Sequence, residues 1–387
     1  MLEKEMIAFR TVIMRGGTSK GIFFLENDLP KDPILREKVI LAVFGSPDAR
    51  QIDGLGGADP LTSKLAIIGH SEREDADVDY TFGQVDIHSA SVDFNSNCGN
   101  ISSAVGPFAI LQSLVNVEEP VTKVRIYNTN TKKVLVAHVP VVNGEPKVDG
   151  DFMMSGVPRP GAKINLDYSK TAGSRTGKLL PTGQVKDIMD VSGIGKIDVS
   201  IVDAGNPMVF VRAKDIGLTG TETAKEVDAN KKLLDILEEI RGKASVAMGL
   251  DKKWQDAAIT NKATPMVAFV APPQDYYCAL ADETISEDRV DFLARGMFMY
   301  IMHKTYAGTA SVCTSAAAKI PGTVVNEMFR KDKTDNYVRI GHPGGIVETE
   351  TKVSQVDGEY VLDFLFLGRT ARKIMEGTVY VPKSFLN

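Results

Sequence analysis

The sequence predicts an α+β fold built as two similar halves, on three observations. Stretches in which apolar and polar residues alternate, 77–94 and 121–154, read as half-buried strands. A run of small apolar residues nearly free of charge, Ile101 to Val115, reads as a helix buried on most of its sides. Beyond a stretch at 155–195 rich in Gly, Pro, Ser and Lys, a composition that reads as a domain linker, the same order of elements starts again.

The elements follow in order. Ile7 to Met14 reads as a strand, Gly16-Gly17-Thr18-Ser19 as a turn, and Gly21 to Leu25 as a second strand. Residues 32–44 suit a helix, with Pro33 near its start, where a missing N–H is harmless. The glycine-rich loop DGLGGADPLTSK at 53–64 runs into the apolar stretch Leu65 to Ile68. Asn128-Thr129-Asn130 marks a hairpin, and Pro107 a possible kink in the buried helix.

In the second half Ile197 to Asp203 and Met208 to Val211 read as strands around the turn Ala204-Gly205-Asn206-Pro207. Thr223 and Glu226 have capping-box spacing ahead of a helix using Val227, Leu234, Leu237 and Ile240. Residues 265–271 form an apolar strand, and 287–304 fit a helix with Val290, Leu293, Met297 and Tyr300 on one face. TASVCTSAAAKIPG at 309–322 places a cysteine at the opening of a second small-residue helix, and 336–381 end in strands. The expected domains are 1–184, completed by a C-terminal strand at 374–387, and 185–373. If the halves fold alike, their cysteine helices face each other across a cleft, a common setting for small-molecule sites.

Composition narrows the function. The 387 residues carry 45 Lys and Arg against 50 Asp and Glu, a net charge of −5, which argues against a nucleic-acid surface. A locally positive pocket for an anionic substrate stays open. Three widely spaced cysteines, Cys98, Cys278 and Cys313, imply no disulfide framework and fit a reducing cytoplasm. The N-terminus has early acidic residues and no signal-peptide pattern, and no apolar run approaches a bilayer span. A homo-oligomer is the expected assembly. Five dispersed histidines offer no paired metal-ligand spacing, so no metal is expected. The turn at Arg15–Gly21 lacks the order of a phosphate loop, since Ser19 precedes Lys20.

Cys98 stands in Asn97-Cys98-Gly99-Asn100, ahead of the buried helix. Unpaired N–H groups at a helix start favour a thiolate and bind carboxylates. A structural thiol is the equal alternative, because free cysteine is among the most buried residue types. Cys313, followed by Thr314 and Ser315, repeats the pattern, with tight packing against Ala316 to Ala318 as the alternative. Cys278 reads as structural. Lys64 ends a flexible loop and can meet a carboxylate or carry a proton in a pocket, or simply be an exposed strand start. His342, in Gly-His-Pro-Gly-Gly, fits a turn residue better than a site residue.

These motifs together are similar to those of a known family. VIMRGGTSKGIFF (12–24), RQIDGLGGADPLTSKLAIIG (50–69), NCGNISSAVGPFAI (97–110), HKTYAGTASVCTSAAAKIPGT (303–323), RIGHPGG (339–345) and RTARKIMEG (369–377) resemble the PrpF and methylitaconate isomerase family. The resemblance spans nearly the whole chain. It implies a diaminopimelate-epimerase-like fold, in which each domain wraps β-structure around a central helix. It implies a cofactor-independent isomerase that moves an allylic proton on a small branched unsaturated di- or tricarboxylate, methylitaconate to 2,3-dimethylmaleate first among them. The alternatives are 2-methylaconitate cis–trans isomerisation, oxalomesaconate tautomerisation, and a non-enzymatic accessory protein that binds an aconitase-type dehydratase. By the same resemblance Lys64 and Cys98 form the acid/base pair. Ser19, Asn97, Gly99, Asn100, Thr314 and Ser315 are expected to hold substrate, with Cys313, Thr18 and His342 as further candidates.

Overall fold

The structure, a computed structural model, describes residues 5–94, 98–262, 264–298, 300–330, 332 and 335–386. The chain divides into two compact units, Met1–Leu166 with Gly368–Asn387, and Asp167–Leu367.

The first unit contains β1 (Met6–Gly16), β2 (Ser19–Leu25), α1 (Pro33–Phe44), β3 (Lys64–His70), β4 (Val78–Val85), β5 (Val92–Asp93), α2 (Gly99–Leu111), β6 (Val121–Asn128), β7 (Lys133–Val142), β8 (Glu145–Pro146) and β9 (Ile164–Asp167). β1 pairs antiparallel with β2, and β2 runs parallel to β3 with Gly21 opposite Lys64. β3 is antiparallel to β4, placing Lys64 opposite Gln84. β4 then runs parallel to β6, which forms a hairpin with β7.

β2 is apolar from Ile22 to Leu25 because it is covered there on both faces. Ile22 and Phe24 join Val39, Ile40, Val43 and Phe44 of α1 in one cluster. Phe23 points the other way, as alternate residues of a strand must, and packs on Phe108 of α2 with ring centroids 5.5 Å apart. Ile101 through Ile110 of α2 are all buried, because strands β1, β2, β3, β6 and β7 all pack on this helix. The β-structure therefore wraps the helix, and a helix enclosed in this way can be built only from small and apolar residues. It runs unbroken from Gly99 to Leu111 with Pro107 inside it.

The second unit contains β10 (Asp187–Val191), β11 (Gly195–Ala204), β12 (Asn206–Arg212), α3 (Ala224–Ala229), α4 (Lys231–Ala247), α5 (Ala257–Thr260), β13 (Met266–Ala271), β14 (Tyr276–Cys278), β15 (Glu283–Ile285), β16 (Phe292–Phe298), β17 (Ile301–Met302), α6 (Gly308–Lys319), α7 (Val324–Met328), β18 (Tyr337–His342), β19 (Gly345–Val356) and β20 (Glu359–Arg369). Its plan repeats that of the first. Val209 and Val211 of β12 join Leu233, Leu237 and Ile240 of α4 in a core, while α6 packs on β11, β12, β18 and β19. Thr223 and Glu226 form the expected capping box of α3. β21 (Ala371–Pro382) then returns to the first unit and pairs along the whole of β1.

Two expectations are corrected. Residues 287–304 are not a helix: β16 lies between β13 and β18 and is buried along Phe292–Met297. A strand covered on both faces loses its alternation, so helical spacing of its apolar residues is accidental. The stretch 155–195 is not a free linker, and the division of the chain falls at 166/167 and 367/368 instead of 184/185 and 373/374. The reason is Asp203, fully buried at the end of β11. Its carboxylate accepts from Ser174 Oγ (2.6 Å), Arg175 N and Thr176 N (2.8 Å each) and Thr176 Oγ1 (2.9 Å). The polar loop is thereby held in the second unit.

Asp203→Ala is expected to cost about 2–4 kcal/mol, since it strands donors that had a charged acceptor. Urea unfolding followed by circular dichroism measures it, and a loss within error would show that the loop is held by other contacts.

Candidate active site

The expected site residues of the first unit gather around the turn that joins β1 to β2. Gly17 has a φ of +51°, a left-handed conformation that favours glycine. A Cβ on Gly17 would lie 2.3 Å from Asn100 Oδ1, and one on Gly16 would lie 2.5 Å from Asn100 O. Two consecutive glycines therefore let the first turn of α2 rest directly on this loop. Asn100 Nδ2 donates to Thr18 Oγ1 at 2.9 Å, which ties helix and turn together. From the other side Arg15 Nη1 donates to Gly17 O, Thr370 O and Thr370 Oγ1, clamping the turn to the returning chain.

Cys98 is the N-cap residue of α2, in extended conformation and partly exposed. Its side chain makes no capping hydrogen bond, so the thiol is not consumed by the helix end. The first intrahelical bond runs from Ser102 N to Cys98 O (2.9 Å). The N–H groups of Gly99, Asn100 and Ile101 consequently have no acceptor within the helix, and they form its positive end beside the thiol. Asn97 lies outside the described residues.

Lys64 approaches the same turn from β3. Only 8% of it is exposed. Its strand partner is Gly21, and a Cβ on Gly21 would meet Ile101 Cδ1 at 2.9 Å, so the first turn of α2 covers the segment that Lys64 flanks. Lys64 Nζ donates to Gln84 Oε1 at 2.7 Å and sits 5.4 Å from the centre of the Phe82 ring. Among the described residues it makes no ion pair. The loop before Lys64 is organised by Gln51, whose amide donates to Ser46 Oγ and Ser63 Oγ and accepts from Ala58 N. Ser19, two residues before Gly21, is 2% exposed, and its Oγ has no hydrogen-bond partner among the described residues. A buried hydroxyl left unpaired costs about 1–3 kcal/mol, so an acceptor or donor brought by a ligand is favoured there. Thr18, Ser19, Lys64, Cys98, Gly99 and Asn100 thus meet around one turn.

The second unit departs from expectation. α6 begins at Gly308 with Ala307 as its N-cap. Cys313 therefore lies in the second turn and not at the helix entrance. It is fully buried, its thiol donates to Val202 O at 3.2 Å, and burial pushes its pKa far up. Thr314 is hydrogen-bonded to Tyr306 Oη (2.8 Å), and Ser315 Oγ accepts from Thr349 Oγ1 (2.7 Å), both fully buried. These three side chains serve the packing of α6, and the free helix start belongs to Gly308, Thr309 and Ala310. Cys98-Gly99-Asn100 at the head of α2 thus corresponds to Ala307-Gly308-Thr309 at the head of α6. His342 is buried at the end of β18. Its Nδ1 accepts from Gly344 N (3.1 Å), and its ring stacks on Tyr306 at 6.3 Å.

Gln84 and Ala307 escaped the sequence reading. Gln84 is distant in sequence from Lys64, and only the β3–β4 register pairs them. Ala307 could have been found by aligning the Gly-polar pairs that follow each N-cap instead of the cysteines. Among the described residues no group of three or more His, Cys, Asp or Glu gathers as a metal site, and no helix is long and apolar enough to cross a membrane.

Residues 6–382 match the family model described as PrpF protein. The chain is 56% identical to the 3-methylitaconate isomerase of Eubacterium barkeri over 375 residues, 97% of each chain. It is 40% identical to the 2-methyl-aconitate isomerase of Shewanella oneidensis over 383 residues, 96% of each. A crystal structure of methylitaconate-delta-isomerase superposes with a TM-score of 0.93 at 54% identity, covering 99% of this chain and 98% of that one.

The burial of the three thiols predicts their order of alkylation. Under native conditions iodoacetamide should modify Cys98 and leave Cys278 and Cys313 until the protein unfolds, as peptide mass spectrometry can read. Cys313→Ala should leave turnover unchanged and cost about 1–2 kcal/mol of stability. A collapse of activity with the fold intact would return Cys313 to the site.

Proposed function

The chain belongs to the PrpF family of isomerases, and we propose that it catalyses a 1,3-proton shift converting methylitaconate to 2,3-dimethylmaleate. The observation that carries this reading is that the strand of Lys64, paired with Gly21, and the helix start after Cys98, tied through Asn100 to Thr18, both adjoin one turn, beside the hydroxyl of Ser19, which has no partner among the described residues. The choice of substrate follows the similarity to 3-methylitaconate isomerase.

The chemistry asks for these groups. In methylitaconate the carbon bearing the methyl group and a carboxylate gives up its proton. The electron pair left behind becomes the new C=C bond, the old C=C pair moves to the terminal methylene, and a proton added there makes the second methyl group. Between the two transfers the negative charge spreads over the allyl system and into the carboxylate. A carbon acid this weak needs its base and its charge stabilisation at once. Lys64 and Cys98 act as the acid/base pair: one takes a proton, the other supplies one, and exchange with water restores the pair. The Lys64 ammonium and the N–H groups of Gly99 and Asn100 face the developing charge. Ser19 Oγ donates to a substrate carboxylate.

In D₂O the purified protein is expected to incorporate deuterium into methylitaconate and to form dimethylmaleate, followed by NMR. Exchange with 2-methylaconitate alone would move the assignment to the other relative's substrate, and exchange with neither would end the isomerase mechanism drawn here. Lys64→Met and Cys98→Ser should each lower kcat by ~10²–10⁴-fold. Serine is a preferred N-cap, so Cys98→Ser should keep or raise Tm while losing activity. Full activity in that variant would remove Cys98 from the chemistry.

A further inference from the structure

Lys64 is held in a way that no acidic partner would allow. A nearly buried ammonium usually has a carboxylate beside it. Here its partners are an amide oxygen and an aromatic face. The orientation of that amide is dictated by its surroundings. Gln84 Nε2 donates to Pro60 O (3.1 Å) and Ser63 O (2.9 Å). Backbone carbonyls only accept, so the NH₂ group must face them and the oxygen must face Lys64. The two carbonyls flank the end of the loop that delivers Lys64, so one side chain fixes both the loop and the amine.

From this geometry we infer that Gln84 is a positioning residue for the proposed reaction: it aims Lys64 Nζ with a neutral acceptor and leaves the charge of the ammonium for the anionic substrate. The inference rests on the acid/base role proposed above for Lys64. A glutamate of the same size would act against it in two ways. It would turn a carboxylate toward the carbonyls of Pro60 and Ser63, and it would give Lys64 a permanent counter-ion. Among the described residues, the neighbouring elements carry the titratable groups Asp93 on β5, opposite Gln84, Lys20 on β2, Asp59 in the preceding loop and Cys98 at the head of α2. None of them pairs with Lys64.

The test compares pH profiles of kcat and kcat/KM for the full chain, Gln84→Glu, Gln84→Met and Lys64→Met, with methylitaconate. A carboxylate at position 84 favours the charged amine, so Gln84→Glu should displace the limb governed by Lys64 to higher pH by ~1 unit or more and should raise KM. Gln84→Met removes the aim without adding charge, and should lower kcat by ~10–100-fold with the profile in place. Equal losses in both variants with unmoved profiles would show that Gln84 only supports the loop, overturning the inference. If Gln84→Glu does not fold, Gln84→Met decides alone: lost kcat at unchanged KM supports the aim, and unchanged kcat refutes it. Lys64→Met separates the two levels. Wild-type turnover there would defeat the acid/base reading itself, whereas an inactive Lys64→Met beside an unshifted Gln84→Glu defeats only the role of Gln84.

Discussion

The close seating of α2 on the Gly16–Gly17 turn is the constraint on which the first unit's site depends. Backbone meets backbone there, and a single methyl group at either glycine would collide with Asn100. The contact brings a helix N-terminus, a thiol and a strand turn to one place, and the Asn100–Thr18 bond fixes their register. The same requirement explains the composition of α2. A helix that must lie against a turn at its head and be enclosed by strands along its length has no room for long or charged side chains. Gly106 shows this in its interior, where a Cβ would reach Val139 and Ala137 at under 3 Å.

The second unit repeats the contact with different chemistry. Gly205, at a φ of +70°, lies between β11 and β12 and packs beneath Val312 of α6. Yet the N-cap that should carry a thiol by analogy with Cys98 carries the methyl group of Ala307, and the cysteine of α6 is buried further along the helix. Each unit thus has its own small-residue helix, and of the two N-caps that of α2 carries the thiol.

Buried charge is handled differently in the two units. Asp203 is surrounded by donors and holds a loop. Arg295, fully buried, donates to the carbonyl oxygens of Glu222, Ala294 and Gly341 and lies over the Tyr276 ring, with burial lowering its pKa to about 10. Both are structural ties: Asp203 is met by two backbone N–H groups and two hydroxyls, and Arg295 by backbone carbonyls, with its Nη2 left unpaired among the described residues. Among the described residues Lys64 has a thinner shell, one amide oxygen and one ring. An ammonium desolvated so far for so few partners is a site with capacity left for an anion.

Much of this was legible in the sequence because it is local. The buried helix from Ile101, the capping box at Thr223 and Glu226, the strands around both glycine turns, and the cysteine at the head of α2 each follow from spacing and composition within a dozen residues. Other features depended on partners far away. β16 looked helical because burial on both faces erased its alternation, and the 155–195 stretch looked like a linker because its anchor, Asp203, comes later in the chain. Cys313 looked like a counterpart of Cys98 because residue identity is visible in a sequence and helix register is not. The sequence by itself determined which residues could do chemistry. Tertiary structure decided which of them meet, since the contact of Asn100 with Thr18 and of Lys64 with Gln84 exists only once the strands are paired.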